Sequence, residues 1–83
     1  MAIGPRVSDH FDAVLVHVDT SRKIDVIKCI REVNGLGLAE ARHLIENLPQ
    51  PVKKDISQEE GDALRERFYA LGAHLQLRSA SLT

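Results

Sequence analysis

The sequence predicts an α/β chain of the α+β type: a two-layer sandwich with the order β-α-α-β-α-β, in which a three-stranded antiparallel sheet is covered on one face by three helices. Three observations lead there. Phe11–Val18 and Ala73–Arg78 carry their apolar residues at a period of two, whereas three other segments carry them at the period of a helix. The links between these segments are short, which favours antiparallel neighbours. If each element reverses the last, the second and third strands both run against the first and leave a gap between them one strand wide, which the first strand fills as a split β-α-β unit.

Residues 1–9 contain Gly4 and Pro5 without periodicity and read as an arm, residues 10–78 as the domain, and residues 79–83 as a tail. In the first strand Phe11, Ala13 and Leu15 are expected to face the helices together with Leu75 and Leu77. Val14, Val16 and Val18 are expected to line the open face of the sheet. A small monomer rarely leaves three valines wet, so the arm, through Ile3 and Val7, or a second copy of the chain, making a homodimer, is expected to cover them. Asp19-Thr20-Ser21 is a polar turn, with Ser21 expected to cap the helix that follows.

That first helix, about Arg22–Val33, has two distinct sides. Val26, Ile27, Cys29, Ile30 and Val33 form a core face, and Ile24, Lys28, Arg31 and Glu32 lie opposite. Ile24 is an aliphatic side chain stranded on a polar face, so it awaits a cover or a partner. Asn34-Gly35 stops the helix, and Gly35-Leu36-Gly37 is a tight connection to the second helix, Leu38–Leu48, whose apolar stripe is Leu38, Ala41, Leu44, Ile45 and Leu48. Pro49 and Pro51 break the chain before a charged edge strand, Val52–Ile56. Ser57-Gln58-Glu59-Glu60 is a capping box that starts the third helix, with Leu64, Phe68 and Leu71 inward and Gly72 as its stop. The last strand places Ala73, Leu75 and Leu77 inward and His74, Gln76 and Arg78 outward.

Composition bounds the function classes. The chain has 83 residues, 43% hydrophobic and 28% charged, enough for one domain with a thin core. A net charge of −1 from 11 basic and 12 acidic residues excludes broad attraction to polyanions, so no direct nucleic-acid partner is expected and any basic recognition must come from a local patch. No apolar run reaches membrane-spanning length and the amino end has no apolar leader, which points to the cytoplasm and to no membrane partner. The single cysteine, Cys29, lies on the core stripe and reads as an inert thiol of a reducing compartment. His10, His17, His43 and His74 lack metal-ligand spacing, with His17 and His74 expected on opposite faces of the sheet, so neither a metal nor another cofactor is expected. Gly35 and Gly37 join two helices and do not follow a strand, which is the wrong context for a phosphate loop. No carboxylate pair or serine–histidine arrangement stands out, so no catalytic residue is assigned and the chain is not expected to be an enzyme.

The runs K-I-D-V-I-K-C-I-R, G-L-G-L-A-E-A-R and G-A-H-L-Q-L-R resemble the C-terminal globular domain of the bacterial large-subunit ribosomal stalk protein, the seven/twelve protein, across Phe11 to Arg78. The resemblance implies a β-α-α-β-α-β fold and a docking module that recruits translational GTPases, the initiation, elongation and release factors, to the ribosome. It places the partner surface at Ile24, Val26, Ile27, Lys28 and Arg31 of the first helix and at Arg42 of the second. Asp25 stands where the family usually has a small neutral residue, and Ala39 where it tends to have a lysine. The family's N-terminal dimerisation domain and hinge have no counterpart in these 83 residues, so the expectation is either an excised domain or a free-standing relative. The other classes compatible with the residues are a protease-specificity adaptor sharing this fold, whose acidic pocket and histidine motifs are not found, and a homo-oligomeric module using the open sheet face.

Overall fold

A computed structural model describes residues 10–79. The elements follow as β1 (Phe11–Val18), a 3-10 turn (Thr20–Arg22), α1 (Lys23–Asn34), α2 (Leu38–Glu46), β2 (Gln50–Ile56), α3 (Gln58–Tyr69) and β3 (Ala73–Ser79). The sheet order is β2-β1-β3 with both pairings antiparallel, so β1 is central and β2 is an edge, as the split arrangement requires. The proposed arm and residues 80–83 of the proposed tail lie outside the described residues, whereas Ser79 belongs to β3.

One core joins the layers. Ala13, Leu15, Val18 and Leu75 of the sheet pack with Val26, Cys29 and Ile30 of α1, Ala41 and Ile45 of α2, and Leu64 and Phe68 of α3. Phe11 and Leu77 are half-buried against the same cluster. At Gly61 a side chain would meet the Leu77 methyl carbons at 2.8 and 2.9 Å, so a residue with no Cβ is what lets α3 lie this close to β3. Ser57 caps α3 by accepting from the Glu60 amide at 3.1 Å, as its capping signature foretells.

Three expectations are corrected by the strands and turns. Relative to β3, β1 carries an extra residue between Leu15 and His17. This bulge interrupts the alternation, so Val16 and His17 are both exposed and Val18 returns to the core at 7% exposure. The three valines therefore do not form one open stripe: Val18 faces the helices and Val14 is buried beside its cross-strand neighbours Pro51 and Gln76, leaving Val16 alone exposed among them. The same bulge brings His17 opposite His74, with ring centres 5.5 Å apart, so the two imidazoles share a face. At the next turn the capping oxygen belongs to Asp19, not Ser21. Its carboxylate accepts from the Ser21 amide at 3.0 Å and hydroxyl at 2.9 Å, and these bonds hold its pKa below the ordinary carboxylate value. The 3-10 turn thus takes the cap, and α1 begins behind it without a side-chain cap of its own.

Candidate functional site

The reversal between α1 and α2 builds the site. Gly35 adopts φ 73°, and its amide closes the end of α1 by donating to the Arg31 carbonyl at 2.8 Å. The Asn34 carboxamide works in both directions, accepting from the Leu36 amide at 3.2 Å and donating to the Val52 carbonyl of β2 at 2.9 Å. Glu40 then reaches back to accept from the Gly37 amide at 3.1 Å, which satisfies a donor at the start of α2 and places a negative charge at the positive end of that helix. The two helices are thereby held against each other across a short turn that is anchored to the sheet edge.

Between them runs a groove of about 510 Å³, lined by Lys23, Ile24, Ile27, Lys28 and Arg31 of α1 and by Leu38, Arg42, Ile45 and Glu46 of α2. Along α1 the positions 24, 27, 28 and 31 are one helical stripe, and the buried Val26, Cys29 and Ile30 form the opposite one. The apolar part of the groove is accessible, with Ile24 72% exposed, Leu38 50% exposed and Ile27 half-buried. Its rim is cationic. Lys23, Lys28, Arg31 and Arg42 are all exposed and make no ion pair among the described residues, whereas Arg22, Lys53, Arg65 and Arg67 are paired with Asp25, Glu60, Asp62 and Glu32. Four unpaired cations against the single carboxylate of Glu46, around exposed aliphatic carbon, leave a net positive surface complementary to an acidic, partly apolar segment of another protein.

Of the six residues expected at this surface, the structure brings five together: Ile24, Ile27, Lys28, Arg31 and Arg42. Val26 is the exception. It is 0% exposed and belongs to the core, so its side chain cannot reach a partner. Leu38 is the groove residue that pattern reading assigned elsewhere, since its place on the apolar stripe of α2 made it look like core. It is the first residue of α2, and that terminal position was the available signal. Asp25 does not line the groove, and Arg22 Nε donates to its carboxylate at 3.1 Å, so its charge is balanced locally.

The family model described as the ribosomal protein L7/L12 C-terminal domain matches residues 11–78, nearly all of the folded region. The chain belongs to this family. Among L7/L12 relatives, the large ribosomal subunit protein bL12 of Clostridioides difficile strain 630 is 42% identical over 77 residues, covering 90% of this chain and 63% of that protein. The bL12 protein of Clostridium kluyveri is 44% identical over 68 residues, covering 82% and 54%, and that of Leptospira interrogans is 39% identical over 70 residues, covering 84% and 55%. The chain thus spans between 54% and 63% of the length of these relatives. The L7/L12 family is one of ribosomal, structural proteins and not of enzymes.

Other groups in the fold offer less chemistry. Burial pushes the Cys29 thiol pKa up, which makes it a poor nucleophile. Among the described residues no cluster of three or more His, Cys, Asp or Glu side chains is placed to hold a metal ion, and no helix is long and apolar enough to cross a membrane.

Proposed function

We propose that this chain is a ribosomal stalk-type docking module of the cytoplasm, whose α1–α2 groove engages translational GTPases and brings them to the large ribosomal subunit. The observation that carries the reading is the rim of four unpaired cations, Lys23, Lys28, Arg31 and Arg42, around the exposed aliphatic carbon of Ile24 and Leu38. Membership of the L7/L12 family supports a partner that works on the ribosome. The cations steer an acidic surface into place, and the aliphatic floor then takes up apolar side chains of the partner. Such an interface is small, so its natural regime is fast exchange at modest affinity, which suits factors that must leave after each round. The module acts either as one domain of a longer stalk protein or as a free-standing relative.

Titration of elongation factors Tu and G with the 83-residue chain, at low and at physiological salt, tests this. Saturable binding that weakens as salt rises is expected. If neither factor binds even at low salt, the docking reading fails.

A further inference from the structure

We propose that His17 and His74 form a two-histidine site for a divalent transition-metal ion, Zn²⁺ or its neighbours Cu²⁺ and Ni²⁺, on the open face of the sheet. This site is separate from the α1–α2 groove and does not depend on the docking function.

The two residues face each other directly across the β1–β3 pairing, and both are exposed. Their ring centres are 5.5 Å apart. A metal held at about 2.0–2.1 Å by an imidazole nitrogen lies roughly 3.2 Å from the ring centre, so two rings sharing one metal near the tetrahedral angle have centres about 5.2 Å apart. The ring centres therefore stand within a few tenths of an ångström of the separation that shared coordination demands, and from the present 47° between ring planes side-chain rotation must turn one nitrogen of each ring toward the ion. Two strands hold that spacing, and the extra residue in β1 produces it: without the bulge, alternation would send His17 to the other face.

One neighbour helps to orient the pair. Tyr69, at the end of α3, meets the His74 ring edge-on with centres 5.4 Å apart and so restricts its orientation, the service that surrounding groups perform for a ligating imidazole. Arg65, which is paired with Asp62, and Glu66 border the hollow next to His74. Imidazole donors with open remaining positions, filled by water, suit Zn²⁺, Cu²⁺ and Ni²⁺ and do not suit Mg²⁺ or Ca²⁺, which take oxygen ligands.

The probe is Zn²⁺ alone, added to the full chain and followed by calorimetry and by two-dimensional NMR. One ion per chain is expected, with shifts concentrated at His17, His74, Val18 and Ala73. His17→Gln and His74→Gln should each weaken binding on the order of tenfold or more, and His10→Gln and His43→Gln should leave it unchanged. Both positions are exposed, so the variants should keep the wild-type circular dichroism, and that measurement separates lost ligation from lost folding. Undiminished binding in either the His17 or the His74 variant, shifts centred on His10 or His43, or no saturable binding would each overturn the proposal.

Discussion

Replacing Ile24 by alanine separates the apolar part of docking from the electrostatic part. The substitution removes three carbons, which at ~0.8 kcal/mol per buried methylene amounts to about 2.4 kcal/mol for a side chain taken wholly out of water. Ile24 is 72% exposed in the free chain, so about that share, roughly 1.7 kcal/mol, remains to be gained when a partner covers it. The expected result is a dissociation constant for elongation factor G raised roughly 20-fold. Nothing comparable is lost in folding, because the side chain contributes little to the core and alanine is the better helix former at an exposed position. The assay is a fluorescence titration of factor G, bound to a non-hydrolysable GTP analogue, at fixed ionic strength, paired with a thermal melt of each variant. Since the effect is one of burial, the ratio of the two constants should be the same at low and high salt. An affinity within twofold of wild type would show that the partner does not cover Ile24 and would refute the role given to the groove floor. A large drop in melting temperature would show instead that Ile24 is structural.

Lys28→Glu should lower the association rate about tenfold at low salt and progressively less as salt is added, because a rim charge acts through steering; stopped-flow mixing across a salt series checks it. Asp25→Ala should strengthen factor binding by about two- to threefold at low salt, since it removes a negative charge beside the groove and frees Arg22 from its ion pair, an effect of the size of exposed pairs; the same titration at high salt should show no difference. Gly35→Ala should destabilise the fold by about 1–2 kcal/mol, the strain of a left-handed residue with a Cβ, and lower the melting temperature by roughly 4–8 °C per kcal/mol. For Cys29 the folded pKa is raised, so the stability that its neutral thiol contributes is complete below the unfolded value of roughly 8.5 and is lost as pH rises through the folded one. Wild type should therefore lose more stability than Cys29→Ala in denaturant titrations above that pH, and the thiol should react with iodoacetamide only as fast as the core opens.

The element order and the centre of the sheet were legible because β1 is apolar on both faces while β2 carries Pro51, Lys53 and Lys54. The start of α3 was legible because Ser57 and Glu60 stand at the spacing of a cap. The bulge in β1 was not. It falls between Leu15 and His17 with no glycine to mark it, and it shows only in the pairing with β3, which periodicity within one strand does not contain. Its effects propagated: it moved Val18 inward and set His17 against His74. Asp19 displaced Ser21 as the cap because a 3-10 turn intervenes before α1, shifting the cap two residues upstream. In the groove, Ile24 was legible as an aliphatic residue among charges, and the helical wheel had already placed Val26 on the core side. It entered the expected docking surface through family resemblance alone, and its burial removes it. Leu38 shows the converse limit, since membership of an apolar stripe does not say whether another layer lies over it.

The bond from the Asn34 carboxamide to the Val52 carbonyl also bears on how copies of this sheet can meet. That carbonyl is occupied, Pro51 next to it has no amide hydrogen, and Asp55 interrupts the same strand at φ 58°. Lys53 and Lys54 add like charge along it. An incoming strand therefore finds no continuous ladder on β2. Among the described residues β3 carries no proline and no residue of positive φ, which makes it the receptive border of the sheet. Were two copies to join there about a twofold axis, the outer borders of the six-stranded sheet would both be β2. Edge-to-edge growth would then terminate at a pair, which is how a small protein with an exposed strand avoids the open-ended stacking of a fibre.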